Sequence, residues 1–179
     1  MNETLRVIAE RYSCRSYESR LPEKEKLEAI AAAALQSPSA MNNQPWQIIV
    51  VTDKTLIEEM DAYGMKTLAE APDQTAYARF MDWGGRLFYN APCMFIILTP
   101  GGAGVDHGIV SQNISLAAAS LGLGSVICGM AGVPINGDND FKKRIGFPKG
   151  WGYGIAVLVG YAKETKAPHE IDPSKIRFM

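Results

Sequence analysis

The sequence predicts a mixed α+β fold in one domain spanning residues 1–179, with helices on both faces of a sheet. Three observations predict it. Four short apolar runs rich in β-branched residues, at 47–52, 94–99, 125–130 and 153–161, have the length and composition of strands. Stretches with apolar residues three and four apart lie before and between them. Two of those stretches precede the first strand, which breaks the strict alternation of a doubly wound fold. A chain of 179 residues is also close to the ~150 typical of one domain.

Leu5, Ile8, Ala9 and Tyr12 mark the apolar face of the first helix. Leu27, Ile30, Ala31, Ala34 and Leu35 mark the second, with Pro22, Glu23 and Glu25 suited to its start. Residues 37–45, Ser-Pro-Ser-Ala-Met-Asn-Asn-Gln-Pro, form a polar loop between two strong elements. The strand at 47–52 follows, and Asp53 caps a helix carrying Leu56, Ile57 and Met60. From 65 to 90 no period dominates; Gly84 and Gly85 interrupt a run of aromatic residues. After the strand at 94–99 and a glycine-rich loop at 100–104 comes a helix over 106–121. Its small face, Ala117 to Ser120, admits a close neighbour. A strand at 125–130, a short helix at 141–145 and a strand at 153–161 complete the core. The polar tail, 163–179, reads as an extended arm.

Composition excludes several classes. The chain is 47% hydrophobic and 21% charged, with a net charge of −1, so no overall field recruits nucleic acid or an anionic membrane. No apolar stretch approaches the ~20 residues that cross a bilayer. The N-terminus is amphipathic rather than a leader peptide. Cys14, Cys93 and Cys128 lack redox or metal spacing, which suits a cytoplasmic protein with free thiols. His107 and His169 have no companions for zinc. Two glycine pairs, Gly102 with Gly104 and Gly122 with Gly124, fail the dinucleotide fingerprint. His107 and Ile127 stand where its third glycine belongs.

Three polar segments remain. In extended chain Arg11, Ser13 and Arg15 share a face and could form a receptor for a phosphate or another electron-rich group, although by itself the segment reads more readily as a solvated basic turn. The loop at 37–44 offers donors and acceptors for the edge of a planar heterocycle, or is simply a capped turn. Lys175 and Arg177 lie two apart on the tail, which alone reads as solvated.

Taken in order, the segments resemble the FMN-dependent nitroreductase-like family. Arg11-Tyr12-Ser13-Cys14-Arg15 resembles its arginine–serine–basic opening. Residues 37–46, ending in Pro45-Trp46, look like its most recognisable loop. Leu116-Ala117-Ala118, leading to Leu121-Gly122-Leu123-Gly124-Ser125, resembles its central helix and turn. Gly160-Tyr161, Lys175 and Arg177 resemble its last strand and phosphate-binding arm. Residues 65–90 depart from the pattern, as do Ile127 and Cys128.

The resemblance implies a mainly antiparallel sheet and a homodimer that exchanges C-terminal arms and binds FMN at its interface. Arg11, Ser13, Lys175 and Arg177 are expected on the phosphate, with Tyr12 beside them, and Arg15 at the N1–O2 edge of the flavin. Pro38, Ser39 and Asn42 are expected from the partner chain, and the backbone of Ile127, Cys128 and Gly129 behind the ring. Arg86 is a candidate polar neighbour of the ring. NADH or NADPH is the implied donor, in a ping-pong reaction with a nitroaromatic, quinone or enone acceptor and no dedicated protein acid or base. The alternatives are a flavin-binding redox or sensing protein with little turnover, and an interaction domain without cofactor.

Overall fold

The four strands form one sheet: β1 (Gln47–Val51), β2 (Cys93–Thr99), β3 (Gly124–Cys128) and β4 (Gly152–Gly160). Their order is β1-β2-β4-β3, and all neighbours are antiparallel. The computed structural model describes residues 2–101, 104–167 and 169–179. Gly102, of the glycine pair read in the sequence, lies outside them. Among the described residues the helices are α1 (Glu3–Glu10), α2 (Lys24–Leu35), α3 (Lys54–Ala69), α4 (Thr75–Asp82), α5 (Val105–Ser120), α6 (Gly132–Ile135) and α7 (Phe141–Ile145).

Strand parity sorts residues between two cores. Cys93, Phe95 and Ile97 of β2 pack with Leu27, Ile30 and Ala34 of α2 and Val110, Ile114 and Ala118 of α5. Met94, Ile96 and Leu98 pack on the other face with Leu56, Ile57, Met60 and Leu68 of α3 and with Ile135 and Phe141. β2 is therefore buried at every position, and burial on both faces is why its sequence is continuously apolar. Asn113 of α5 ties the two helices of one layer together. Its Nδ2 donates to the Ala33 carbonyl at 3.3 Å and to the Ser37 hydroxyl at 2.9 Å.

Several boundaries differ from the sequence reading. α1 stops at Glu10, so Tyr12 lies beyond it, where the backbone is already extended at Arg11. The stretch at 65–90 contains the last turn of α3 and all of α4. The buried stripe of α3 includes Asp61 and Gly64, and those two non-apolar residues hide its period. Gly64 is required: a Cβ there would lie 2.4 Å from Leu87. β3 ends at Cys128, and residues 129–131 turn into α6. In the tail, Pro173–Lys175 forms a short 3₁₀ turn instead of extended chain.

The segment that follows α1 lies along the outer edge of β3. Ser13 bridges Ser125 in parallel, and the Cys14 N–H donates to the Ser125 carbonyl at 2.9 Å. Tyr17 then bridges Ala162 antiparallel. The approach is close: a Cβ on Gly124 would lie 2.8 Å from both Cβ and Sγ of Cys14. Gly124→Ala should therefore push this segment off the edge and destabilise the fold by about 1–3 kcal/mol, as overpacking does. Urea denaturation of both proteins measures it; equal midpoints would show that the contact relaxes freely.

Candidate functional site

Arg11 is placed where α1 releases the chain. It lines a cleft of about 290 Å³ with Tyr12, Gly122, Gly124, Ser125 and Thr165. The Tyr12 hydroxyl donates to the Glu164 carbonyl at 2.7 Å, fastening the start of the tail beside it. Two residues past the Ser13 bridge, Arg15 is exposed. Its guanidinium carbon sits 5.1 Å from the centroid of the Trp83 ring, and its charge acts on the Tyr89 hydroxyl nearby. Burial pushes the Tyr89 hydroxyl above its ordinary range, and the Arg15 charge partly offsets this. Among the described residues Arg11, Arg15, Lys175 and Arg177 form no ion pair. Arg6, one turn earlier, is engaged by Glu3 and Glu10.

The end of β3 forms the opposite side of this group. Ile127 pairs with Val157 yet is 44% exposed, an open apolar position within a sheet. Cys128 is buried, and desolvation pushes its thiol up to about 11, so it stays neutral. Arg15 and Asp61 are both close enough to act on its charge. The Tyr153 hydroxyl donates to the Cys128 carbonyl at 3.0 Å and holds the turn. Nothing lies within 4 Å of where a Gly129 Cβ would be, so the turn faces open space.

The loop at 37–45 stands apart. It forms no hydrogen bond to Arg11, Arg15 or the β3 turn among the described residues. The Ser39 hydroxyl accepts from the Gln44 N–H at 2.9 Å, and Asn42 accepts from the Gln44 side chain at 3.1 Å. Met41, Asn42 and Gln44 have φ of 53°, 56° and 46°. Left-handed backbone at three non-glycine residues is strain of the kind that collects at functional loops. Pro38 and Met41 are exposed, as is the tail with Lys175, Arg177 and Phe178.

One chain thus gathers Arg11, Tyr12, Ser13, Arg15, Ile127, Cys128 and Gly129. It does not bring Pro38, Ser39, Asn42, Lys175 or Arg177 to them. Arg86 faces elsewhere: its Nη1 lies 3.7 Å from the Asp61 carboxylate, and both line a separate cavity of about 410 Å³. The residues that sequence reasoning missed are Trp83, Tyr89 and Tyr153. The aromatic run at 77–89 was visible, but its folding back onto Arg15 depends on backbone geometry. Gly84 and Gly85 have φ of 97° and 68°, and Tyr89 and Asn90 have φ of 53° and 60°.

A four-stranded antiparallel sheet clad on both faces by helices defines the chain as a mixed α+β protein. The chain belongs to the nitroreductase family, whose profile matches residues 8–161. A nitroreductase from Desulfitobacterium hafniense, solved with bound FMN, superposes with a TM-score of 0.95 at 49% identity, covering 100% of this chain and 99% of that one. A protein of Archaeoglobus fulgidus, named as a candidate NADH dehydrogenase/NAD(P)H nitroreductase, is 30% identical over 174 residues, 96% of this chain and 92% of the relative. An NAD(P)H-dependent FMN reductase of Bacillus subtilis is 29% identical over 137 residues, 72% of this chain but only 55% of the relative.

Proposed function

We infer that the chain is an FMN-dependent NAD(P)H oxidoreductase. The observation that carries this reading is the run of Arg11, Ser13 and Arg15 along the outer edge of β3, with Arg11 at the cleft where the strand starts and Arg15 beside Trp83 at its open end. Cations outside any ion pair suit an anionic ligand, and an exposed apolar strand position beside a glycine turn suits a flat ring. FMN has both features, and family membership together with the FMN-bound Desulfitobacterium hafniense relative favours it over other phosphates.

When bound, FMN supplies hydride transfer between a nicotinamide and an organic acceptor. The chain's own residues hold and bias it. Arg11 and Ser13 address the phosphate, joined by Lys175 and Arg177. Arg15, steadied by Trp83 and Tyr89, presents positive charge to the N1–O2 edge, where charge is worth most once electrons have arrived. The turn at Ile127, Cys128 and Gly129 lies behind the ring and offers backbone N–H groups. No side chain moves a proton: Cys128 is a neutral thiol and the group has no histidine. Donor and acceptor use one opening in turn, which makes the kinetics ping-pong; nitroaromatics, quinones and enones fit as acceptors. The three free cysteines suit a reducing cytoplasm.

The site is completed by a second copy of the chain. The strained loop with Pro38, Ser39 and Asn42, and the tail with Lys175 and Arg177, find no docking place on their own chain. Ile171, Ile176 and Phe178 are all exposed along the tail, apolar surface that a second copy would cover. Light scattering at micromolar concentration with FMN should give the mass of two chains; a one-chain mass would contradict the shared site.

Added FMN should bind one per chain, more tightly than riboflavin, and NADH should bleach it. Arg11→Ala should weaken FMN by at least ~1.5 kcal/mol, the low end for a hydrogen bond to a charged group. A protein that stays colourless with FMN, or binds both flavins equally, would overturn the phosphate assignment. Arg15→Met should lower FMN affinity modestly and the two-electron potential clearly, with ~30 mV corresponding to ~1.4 kcal/mol. Potentiometric titration and stopped-flow reduction measure it. A large loss of FMN at unchanged potential would make Arg15 a phosphate ligand instead.

A further inference from the structure

Arg15 takes its direction from Trp83 and Tyr89, and those two sit at either end of a segment with little regular structure. Residues 83–90 leave α4 through two left-handed glycines and reach β2 through left-handed Tyr89 and Asn90. Such a path has to be held from outside. Leu87 and Phe88 plug the α3-side core, fully buried. Asp61, projecting inward from α3, takes hold of the Phe88 backbone. Its Oδ2 accepts from the Phe88 N–H at 2.7 Å, and the Arg86 guanidinium lies 3.7 Å from Oδ1.

This carboxylate is a poor stabiliser. Its side chain is only 6% exposed, and Oδ1 has no hydrogen-bond partner of normal length. Desolvation raises its pKa despite the Phe88 amide and Arg86. A buried charge whose partners do not offset its desolvation fits a specifying role better than a stabilising one. The segment it holds leads directly to Tyr89, one residue past Phe88, whose ring pairs with the Trp83 ring under Arg15. Trp83 completes the brace, 6.2 Å from Tyr89 and 5.9 Å from Phe80 between ring centroids.

We propose that Asp61 is a positioning residue for the reaction: through the Phe88 amide it sets Tyr89, and through the Tyr89–Trp83 ring pair it sets Arg15. The proposal rests on the reading of Arg15 as the cation facing the flavin. Asp61 touches neither flavin nor substrate and acts only through this chain of contacts.

The test compares Asp61→Asn, Asp61→Ala, Tyr89→Leu and the double variant Asp61→Asn/Tyr89→Leu. Asn at 61 keeps an acceptor for the Phe88 N–H and loses the charge facing Arg86, so it should fold even where Ala fails. In flavin-free protein, both Asp61 variants should speed amide exchange at 87–90 and shift Trp83 emission, read against Trp83→Phe. In the FMN-loaded protein, Asp61→Asn should lower the equilibrium constant for two-electron reduction by about tenfold, or ~30 mV. The double variant should fall no further than Tyr89→Leu alone, because one path carries both effects. An unchanged potential would make Asp61 structural only, and additive drops would route its effect around Tyr89; either result overturns the proposal. If the unaltered protein fails to bind FMN, the flavin reading is what fails. The exchange and emission measurements still decide whether Asp61 holds the brace, and unchanged values there would overturn it without any flavin.

Discussion

The site depends on one close contact, the backbone of residues 12–17 lying against the outer edge of β3. An edge strand presents unpaired N–H and C=O groups that must be covered. Here the chain covers its own edge, and in doing so delivers Arg11 to the start of β3 and Arg15 to its open end. The contact is possible because Gly124 has no Cβ to meet Cys14, and Gly160 none to meet Tyr17. In the sequence Gly124 looked like a turn residue and Gly160 like part of the last strand. Their role is to let a second backbone come near, and with it the cations that give this edge its charge.

The sheet and its helical cladding were legible because burial on both faces leaves continuous apolar runs, as at β2, and because α2 and α5 meet through alanines at helical spacing. α3 was only half legible. Asp61 and Gly64 occupy two of its buried positions, one a charge bound to a loop amide and one a space for Leu87, so apolar periodicity could not register them. Arg11, Ser13 and Arg15 were legible as a basic segment, although only the fold separates their neighbourhoods. Arg11 faces a cleft at the start of the tail, and Arg15 faces aromatic rings. Trp83 and Tyr89 were illegible as a brace, since four left-handed residues between α4 and β2 bring them there. Ser39 and Lys175 carry motif information that a single chain's geometry does not repeat.

The chemistry implied for this family asks little of side-chain acid–base groups, and the site agrees. Its thiol is held neutral by burial, its tyrosines are pushed up by desolvation, and its free charge is guanidinium. What the chain supplies is direction: Tyr153 fixes the β3 turn through a carbonyl, and Trp83 and Tyr89 fix Arg15. Electrostatic stabilisation needs no reorganisation when the charges are already in place.

The seam at β3 also joins the part of the chain made first to the parts made last. During synthesis Ser13 and Tyr17 leave the ribosome long before Ser125 and Ala162, their bridge partners. The N-terminal arginines must therefore wait, unstructured and exposed, while most of the sheet is produced. Closing so long a loop is slow compared with forming helices. The seam is thus among the last features of the newborn chain to form, and a ribosome that stalls before β4 releases a product in which Tyr17 has no bridge partner.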